Sequence, residues 1–238
     1  MNNHLVLLGG KSAAGKSASL MNLQNPEGVM YLNCEAGKKL PFKSKFKEFV
    51  IVDPMQVYEA FEVAESKPEI HTIVVDTLTY LMDMYENLYV VGSANTMKAW
   101  GDYGQYLKKL MLHYVAKSSK QVIFLAHTAD VMNETDMIME TMVKVKGSVM
   151  NTGVESFFST VLACKKMPLA KLKAYNNPLL VITPDDELLG YKYVFQTKLT
   201  KETVNERIRS SMGMWNQQET FIDNDAQLVL NRLREYYD

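Results

Sequence analysis

Gly10-Lys11-Ser12-Ala13-Ala14-Gly15-Lys16-Ser17 is a complete G-x-x-x-x-G-K-S string, standing directly behind the aliphatic run Leu5–Leu8. Few strings constrain a fold as tightly. Its glycines let consecutive backbone N–H groups curl around phosphate oxygens, delivered by a strand and followed by a helix whose positive end faces the anion. In such a loop Lys16 reaches the β- and γ-phosphates and the Ser17 hydroxyl sits on Mg²⁺. Gly10, Lys11, Ser12, Ala13, Ala14, Gly15 and Ala18 complete the cradle. The expectation is a nucleotide site on an α/β fold.

The rest of the chain agrees with a mainly parallel sheet flanked by helices. Strands are expected at Leu5–Leu8, Val29–Leu32, Phe49–Val52, Thr72–Val75 and Val122–Ala126, most of them continuous and aliphatic, as strands covered on both faces are. Helical periodicity marks Lys16–Leu23, Met55–Ser66 and Met97–Ala116, the last with Tyr103, Leu107, Leu110, Met111 and Tyr114 on one face. Strand-like runs return at Phe158–Ala163, Leu179–Thr183 and Tyr191–Gln196, and Gln227–Tyr237 reads as a closing helix capped by Asp223 or Asp225. No repeat or proline-rich linker divides the 238 residues, so a single domain is expected: a core over residues 1–127, a long polar loop over 128–153, and C-terminal strands and helix over 154–238. At 47% apolar and 22% charged residues the chain is neither disordered nor a disulfide-stapled miniprotein. It shows no signal-peptide pattern and no membrane-length apolar run, and its two cysteines, Cys34 and Cys164, suit a reduced, cytoplasmic setting.

Three further residues fall at the sheet edge that carries the phosphate loop. His71-Thr72-Ile73-Val74-Val75-Asp76-Thr77 is an aliphatic strand ending in a carboxylate, the form of a Walker B element, and Asp76 there can hold Mg²⁺ through water. Glu35 follows the strand Val29–Leu32 and is placed to accept a proton from a water attacking the γ-phosphate. His127 ends the strand Val122–Ala126, where a hydrogen-bonding side chain can sense that phosphate.

In this order the phosphate loop, Asn33-Cys34-Glu35-Ala36, Val74-Val75-Asp76-Thr77 and the strand ending at His127 resemble the ATPase core of the RecA-like P-loop proteins. Lys146-Gly147-Ser148-Val149-Met150-Asn151-Thr152-Gly153 and Phe157-Phe158-Ser159-Thr160-Val161 resemble the end of the second DNA-binding loop of that family and its next strand. Trp100-Gly101-Asp102-Tyr103-Gly104 and Phe221-Ile222-Asp223-Asn224-Asp225 are similar to stretches of the small bacteriophage RecA-like proteins of single-strand annealing and recombination. The resemblance implies an ATP- and Mg²⁺-dependent ATPase with Glu35 activating water, Lys16 on the phosphates and His127 as sensor, where the family commonly has glutamine. It implies a homo-oligomer, ring or filament, in which Lys198, Lys201 or Arg207, with Arg209, reaches a neighbour's γ-phosphate. It implies single-stranded DNA as partner, contacted by Lys144, Lys146 and Asn151, possible cooperation with a single-strand binding protein, and a host cytoplasm if the chain is phage-encoded. The first strand begins within a few residues of Met1, so the polymerising arm that many recombinases carry ahead of it is expected to be missing.

Charge patterning is mixed. The chain carries 26 basic and 27 acidic side chains for a net charge of -1, against the strongly basic surface common among nucleic-acid binders. Lysines nonetheless concentrate at Lys38, Lys39, Lys43, Lys45 and Lys47, interleaved with Phe42, Phe46 and Phe49, and again at Lys165, Lys166, Lys171 and Lys173. Such runs can follow a phosphate backbone, with aromatics stacking bases, but are more often a solvated face over core phenylalanines. Methionines cluster in the long loop, either as a pliable surface for a neighbour subunit or for bases or as ordinary packing. Two other readings share the core: a nucleotide-switched oligomeric regulator or scaffold without DNA activity, and a hexameric helicase-type motor.

Overall fold

The computed structural model describes residues 2–134 and 136–238, with the backbone alone at residue 151. Nine strands form the sheet: β1 (Leu5–Gly10), β2 (Val29–Asn33), β3 (Lys47–Val50), β4 (Thr72–Asp76), β5 (Gln121–Asn133), β6 (Ile138–Val143), β7 (Thr160–Pro168), β8 (Tyr191–Gln196) and β9 (Phe221–Asp223). Their order is β3-β2-β4-β5-β1-β7-β8-β9, with β6 paired to β5. From β3 to β7 the ladder is parallel, and β8 and β9 add antiparallel to its end. The helices are α1 (Met55–Ser66), α2 (Leu78–Tyr85), α3 (Thr96–Lys109), α4 (Gly147–Thr152), α5 (Leu169–Leu172), α6 (Pro184–Leu189) and α7 (Ala226–Tyr237). None is long and apolar enough to cross a membrane, among the described residues.

The aliphatic strands are buried on both faces, which is why their sequences do not alternate in polarity. Alternate residues enter two separate cores. Leu5, Leu7, Leu32, Ile73, Val75, Val122 and Phe124 pack against α1, α2 and α3, whose Phe61, Leu81, Tyr103 and Leu107 fill that side. Val6, Leu8, Tyr31, Val74, Ile123 and Leu125 pack the opposite way, against Leu20, Trp215 and the Val229, Leu230 and Leu233 face of α7. Side-chain caps fix several helix starts: Thr77 accepts from Tyr80 N–H, Asn95 from Lys98 N–H and Asp225, rather than Asp223, from Gln227 N–H. On the expected face of α3 and its continuation through a π-turn at Leu110–Tyr114, Tyr103, Leu107, Leu110 and Met111 are buried, and the half-buried Tyr114 stacks on Tyr58 at 4.5 Å.

Three expectations are corrected. The helix expected over Lys16–Leu23 is one 3-10 turn, Ser17–Leu20, continued by i to i−3 bonds from Met21 and Leu23, before Asn25 in the left-handed region (φ 47°) and Pro26 turn the chain away. Leu179–Thr183 forms no strand; it leads into α6, whose Thr183 and Asp186 make a reciprocal capping box. The long polar loop is mostly an arm of regular structure: β5 runs on through Thr128–Asn133 and returns antiparallel as β6, followed by α4. Polar and methionine side chains on a two-stranded arm exposed to solvent carry little of the apolar signal by which buried strands are recognised. The side chain of Asn151 lies outside the described residues.

Candidate nucleotide site

Strand order assembles the site. β5 lies between β1 and β4, so His127 falls opposite Gly10 in the β1 register and just beyond Asp76 in that of β4. Gly10, Asp76 and His127 continue the alternation of Leu8, Val74 and Leu125, and therefore share the face that carries Tyr31. Ala13 and Gly15 take positive φ values of 58° and 91°, and the amides of Ala13, Gly15 and Lys16 have no acceptor within the protein among the described residues. Such a run of free N–H groups is an anion nest. The loop is seated tightly: a Cβ on Gly10 would stand 2.9 Å from the Cys164 carbonyl oxygen, and one on Gly15 would stand 2.8 Å from Asn224 Nδ2. With only a four-residue turn behind it, the loop supplies positive potential chiefly from these amides and Lys16.

Lys16 is buried at 6% exposure and donates from Nζ to the carbonyls of Gly10 (3.0 Å) and Lys11 (2.9 Å). Its third contact is His127 Nδ1 at 3.3 Å. An ammonium has no acceptor, so Nδ1 accepts and the imidazole proton sits on Nε2, which lies 3.5 Å from Glu35 Oε1. Glu35 Oε2 takes Lys38 Nζ at 2.9 Å. Hydrogen bonding to His127, reinforced by Lys38, pulls the Glu35 carboxyl down to about 2 against the cost of its partial burial. Burial has the opposite consequence for Lys16, whose ammonium is held below its ordinary pKa.

Asp76 is 1% exposed. Its Oδ2 accepts from Ser17 Oγ and from Tyr31 OH, both at 2.8 Å, while Oδ1 is buried with no partner. Burial raises its pKa, partly offset by those two donors. The arrangement fits Mg²⁺: a serine that donates its hydrogen bond to a carboxylate turns lone pairs outward, and an unpaired carboxylate oxygen beside it suits a metal-bound water. No group of three or more His, Cys, Asp or Glu side chains could hold a metal among the described residues, in keeping with a cation held largely by phosphates and water. Tyr31→Phe removes one donor to the charged carboxylate and should raise the Asp76 pKa further. Proton competition then weakens Mg²⁺ at low pH. Magnesium titrations of nucleotide binding should show a higher half-saturation in Tyr31→Phe than in wild type at acid pH, with the difference fading as pH rises.

A cleft of about 650 Å³ is lined by Lys16, Ser17, Glu35, Asp76 and His127, together with Tyr193 and Asn224. A family model described as an AAA domain matches residues 2–177. The chain belongs to this AAA-domain family. It has the RecA-like P-loop fold expected from the order of its motifs. A KaiC-like protein from the hyperthermophilic archaeon Pyrococcus horikoshii OT3 is similar in structure, with a TM-score of 0.47 and 11% identity over 85% of this chain and 82% of that one. No curated protein sequence matches the chain.

The remaining candidates of this AAA-domain protein are dispersed. Lys198 donates to the Trp215 carbonyl at 3.2 Å, and Arg207 is paired with Glu140 (3.0 Å) and Glu155 (3.4 Å), whereas Lys201 and Arg209 are exposed. Lys146 is paired with Glu86 at 2.7 Å; Lys144 is exposed, and its N–H donates to the His127 carbonyl at 2.8 Å. Most of the first lysine cluster is balanced locally, Lys39 by Glu48, Lys45 by Glu27 and Lys47 by Glu69, while Phe42 and Phe46 pack on the core, so the solvated-face reading describes it. In the second cluster Lys165 pairs with Glu206, Lys171 with Glu202, and Lys166 lies over the Tyr191 ring. Sequence reasoning missed Tyr31 and Asn224. Tyr31 reads as one more apolar strand residue, and only the β2–β4 register brings its hydroxyl to Asp76. Asn224 arrives from the far end of the chain to donate to the Gly15 carbonyl at 2.8 Å.

Proposed function

We propose that this chain binds ATP with Mg²⁺ and hydrolyses it to ADP and phosphate. The observation that carries this reading is the continuous path Lys16–His127–Glu35 beside the Ser17–Asp76 pair within one cleft. The loop amides and Lys16 bind the phosphates, and Lys16 exchanges its contact with His127 for a phosphate oxygen. His127, released from Lys16, adjusts the position of Glu35. The Glu35 carboxylate then accepts a proton from water as the water oxygen bonds to the γ-phosphorus and the bond to the β-bridging oxygen breaks. Bound Mg²⁺ would be held by Ser17 directly and by Asp76 through water, and supplies neutralisation of the phosphate charge.

The finer reading is a homo-oligomeric ATPase of the single-strand annealing type. What favours it is Lys144, exposed on the segment that leaves the arm and bonded through its own backbone to the residue that senses nucleotide. Of the four basic residues considered for reaching a neighbour's phosphate, Lys201 and Arg209 are exposed and outside any ion pair among the described residues, whereas Arg207 is held by Glu140 and Glu155. The test is phosphate release from Mg·ATP with and without single-stranded DNA. Turnover that rises several-fold with DNA, and loses that rise in Lys144→Ala, supports both readings. Turnover indifferent to DNA, in protein that does not retain single strands, leaves the ATPase and removes the DNA partner. Absence of turnover under every condition counts against hydrolysis itself.

A further inference from the structure

Besides Lys16, the side chains of Lys38, Lys39 and Lys192 line the nucleotide cleft. Lys192 is held by two carboxylates, Asp186 at 2.9 Å and Asp223 at 3.3 Å, and Lys39 stands 3.6 Å from Glu48. Lys38 differs from both, because its partner is Glu35, the carboxylate placed to activate water. Its side chain is largely exposed, so the ammonium can leave that partner at little cost.

The backbone beneath Lys38 is fixed. Ala36 and Gly37 take positive φ values of 52° and 76°, which fold the chain back directly after Glu35. The fully buried Asn33 clasps both ends of this turn: its Oδ1 accepts from the Glu35 N–H at 3.0 Å, and its Nδ2 donates to the Lys38 carbonyl at 3.0 Å. A carboxylate and an ammonium are thereby carried side by side into the cleft. Glu35 Oε1 faces His127 Nε2 at 3.5 Å, and Oε2 holds Lys38 Nζ at 2.9 Å. A water held by Glu35 for attack on the γ-phosphorus is therefore only one carboxylate away from Lys38 Nζ. The charges of this corner also act on one another. Burial chiefly, and the charge of Lys38 in addition, lower the Lys16 pKa; Lys38 is raised by its hydrogen bond to Glu35 and, more weakly, by Asp76.

We infer that Lys38 is a further catalytic residue: it restrains Glu35 when no nucleotide is bound, and moves its ammonium to an oxygen of the γ-phosphate when ATP binds. This rests on the nucleotide-site reading above and adds to it a second cation from the same chain. A terminal phosphate carries more charge and more acceptor oxygens than a carboxylate already shared with His127, so it competes well for the ammonium. The transfer frees Glu35 Oε2 as the base is needed. A carboxylate paired with a cation is a weak proton acceptor, and the departure of Lys38 makes Glu35 a better one. On the phosphate, the ammonium stabilises the charge spread over the oxygens of the transferred group.

The experiment measures binding of ADP and of a non-hydrolysable ATP analogue, each with Mg²⁺, and single-turnover phosphate release from Mg·ATP. The proteins are wild type, Lys38→Ala, Lys38→Arg and Lys43→Ala; Lys43 is exposed on the same loop and does not line the cleft. In Lys38→Ala the analogue is expected to bind about tenfold more weakly, ADP within about twofold of wild type, and phosphate release to slow about tenfold or more. Lys38→Arg should restore most of the affinity for the analogue, and Lys43→Ala should leave the ratio of analogue to ADP unchanged. An unchanged ratio in Lys38→Ala overturns the inference. So does phosphate release at or above the wild-type rate, which would leave Lys38 a restraint on Glu35 and no more. An equal loss in Lys43→Ala overturns it too, because the effect is then one of net charge. Where the wild type binds ATP without cleaving it, the hydrolysis reading fails and the ratio alone decides the Lys38 contact. Protein that binds neither nucleotide removes the nucleotide site, and the inference falls with it.

Discussion

Lys16→Ala is expected to lower ATP turnover by about a thousandfold and to weaken nucleotide binding until it is hard to measure. The ammonium is held in the cleft by two loop carbonyls and His127 Nδ1. Its desolvation is already a cost of the folded protein, visible in the lowered pKa, so an arriving phosphate meets a charge that need not be stripped of water first. Alanine removes that charge and also the link between the phosphate loop and His127. The effect on folding is expected to be small, because relief of a buried charge opposes the loss of two hydrogen bonds to carbonyls. Fluorescent-nucleotide titration, phosphate release and a thermal melt on the same preparation separate these effects. Lost binding with a melting temperature close to wild type is the expected pattern. A variant that turns over normally would show that Lys16 does not contact the phosphates.

Glu35→Gln is expected to keep ATP affinity and lose about 10² to 10⁴ in turnover, the range contributed by a positioned general base. The amide keeps the shape of the side chain and can still accept from His127, but cannot take a proton. The ion pair with Lys38 also goes, at small cost, since the lysine side chain is 72% exposed. The pH dependence separates the two carboxylates. Glu35 is depressed to about 2, so it stays ionised as pH falls through the range where an ordinary glutamate protonates. Asp76 is shifted upward and protonates first. The acid limb of turnover is therefore expected to follow Asp76 and to be relieved by added Mg²⁺, which competes with the proton. An acid limb insensitive to Mg²⁺ would assign it to another group.

Much of this was legible in the sequence because the phosphate loop requires a particular backbone around it. Leu5–Leu8, Thr72–Val75 and Tyr191–Gln196 form strands as their composition implies; Asp76 closes β4, Glu35 follows β2 and His127 lies within the longer β5, and the parallel register brings all three to the edge of the sheet that carries Lys16. What was illegible depends on register and on contacts between distant parts of the chain. His127 was placed beside the phosphates, but its role as the joint between Lys16 and Glu35 depends on β5 lying between β1 and β4. Tyr31 and Asn224 have no local signature, since one is a strand aromatic and the other a loop amide whose partner is 209 residues away. The arm at Thr128–Val143 was hidden because polar strands lack the apolar pattern by which strands are read. Arg207 illustrates the opposite case: a basic residue free in sequence is held in the structure by Glu140 and Glu155.

The central claim is that Glu35, tethered through His127 to Lys16, activates water at an ATP bound in this cleft. Single-turnover phosphate release with enzyme in excess over Mg·ATP tests it most directly, wild type against Glu35→Gln. The account predicts that wild-type protein cleaves the bound ATP while Glu35→Gln holds it intact. Cleavage by Glu35→Gln at the wild-type rate, or ATP bound and left intact by the wild type, would contradict it.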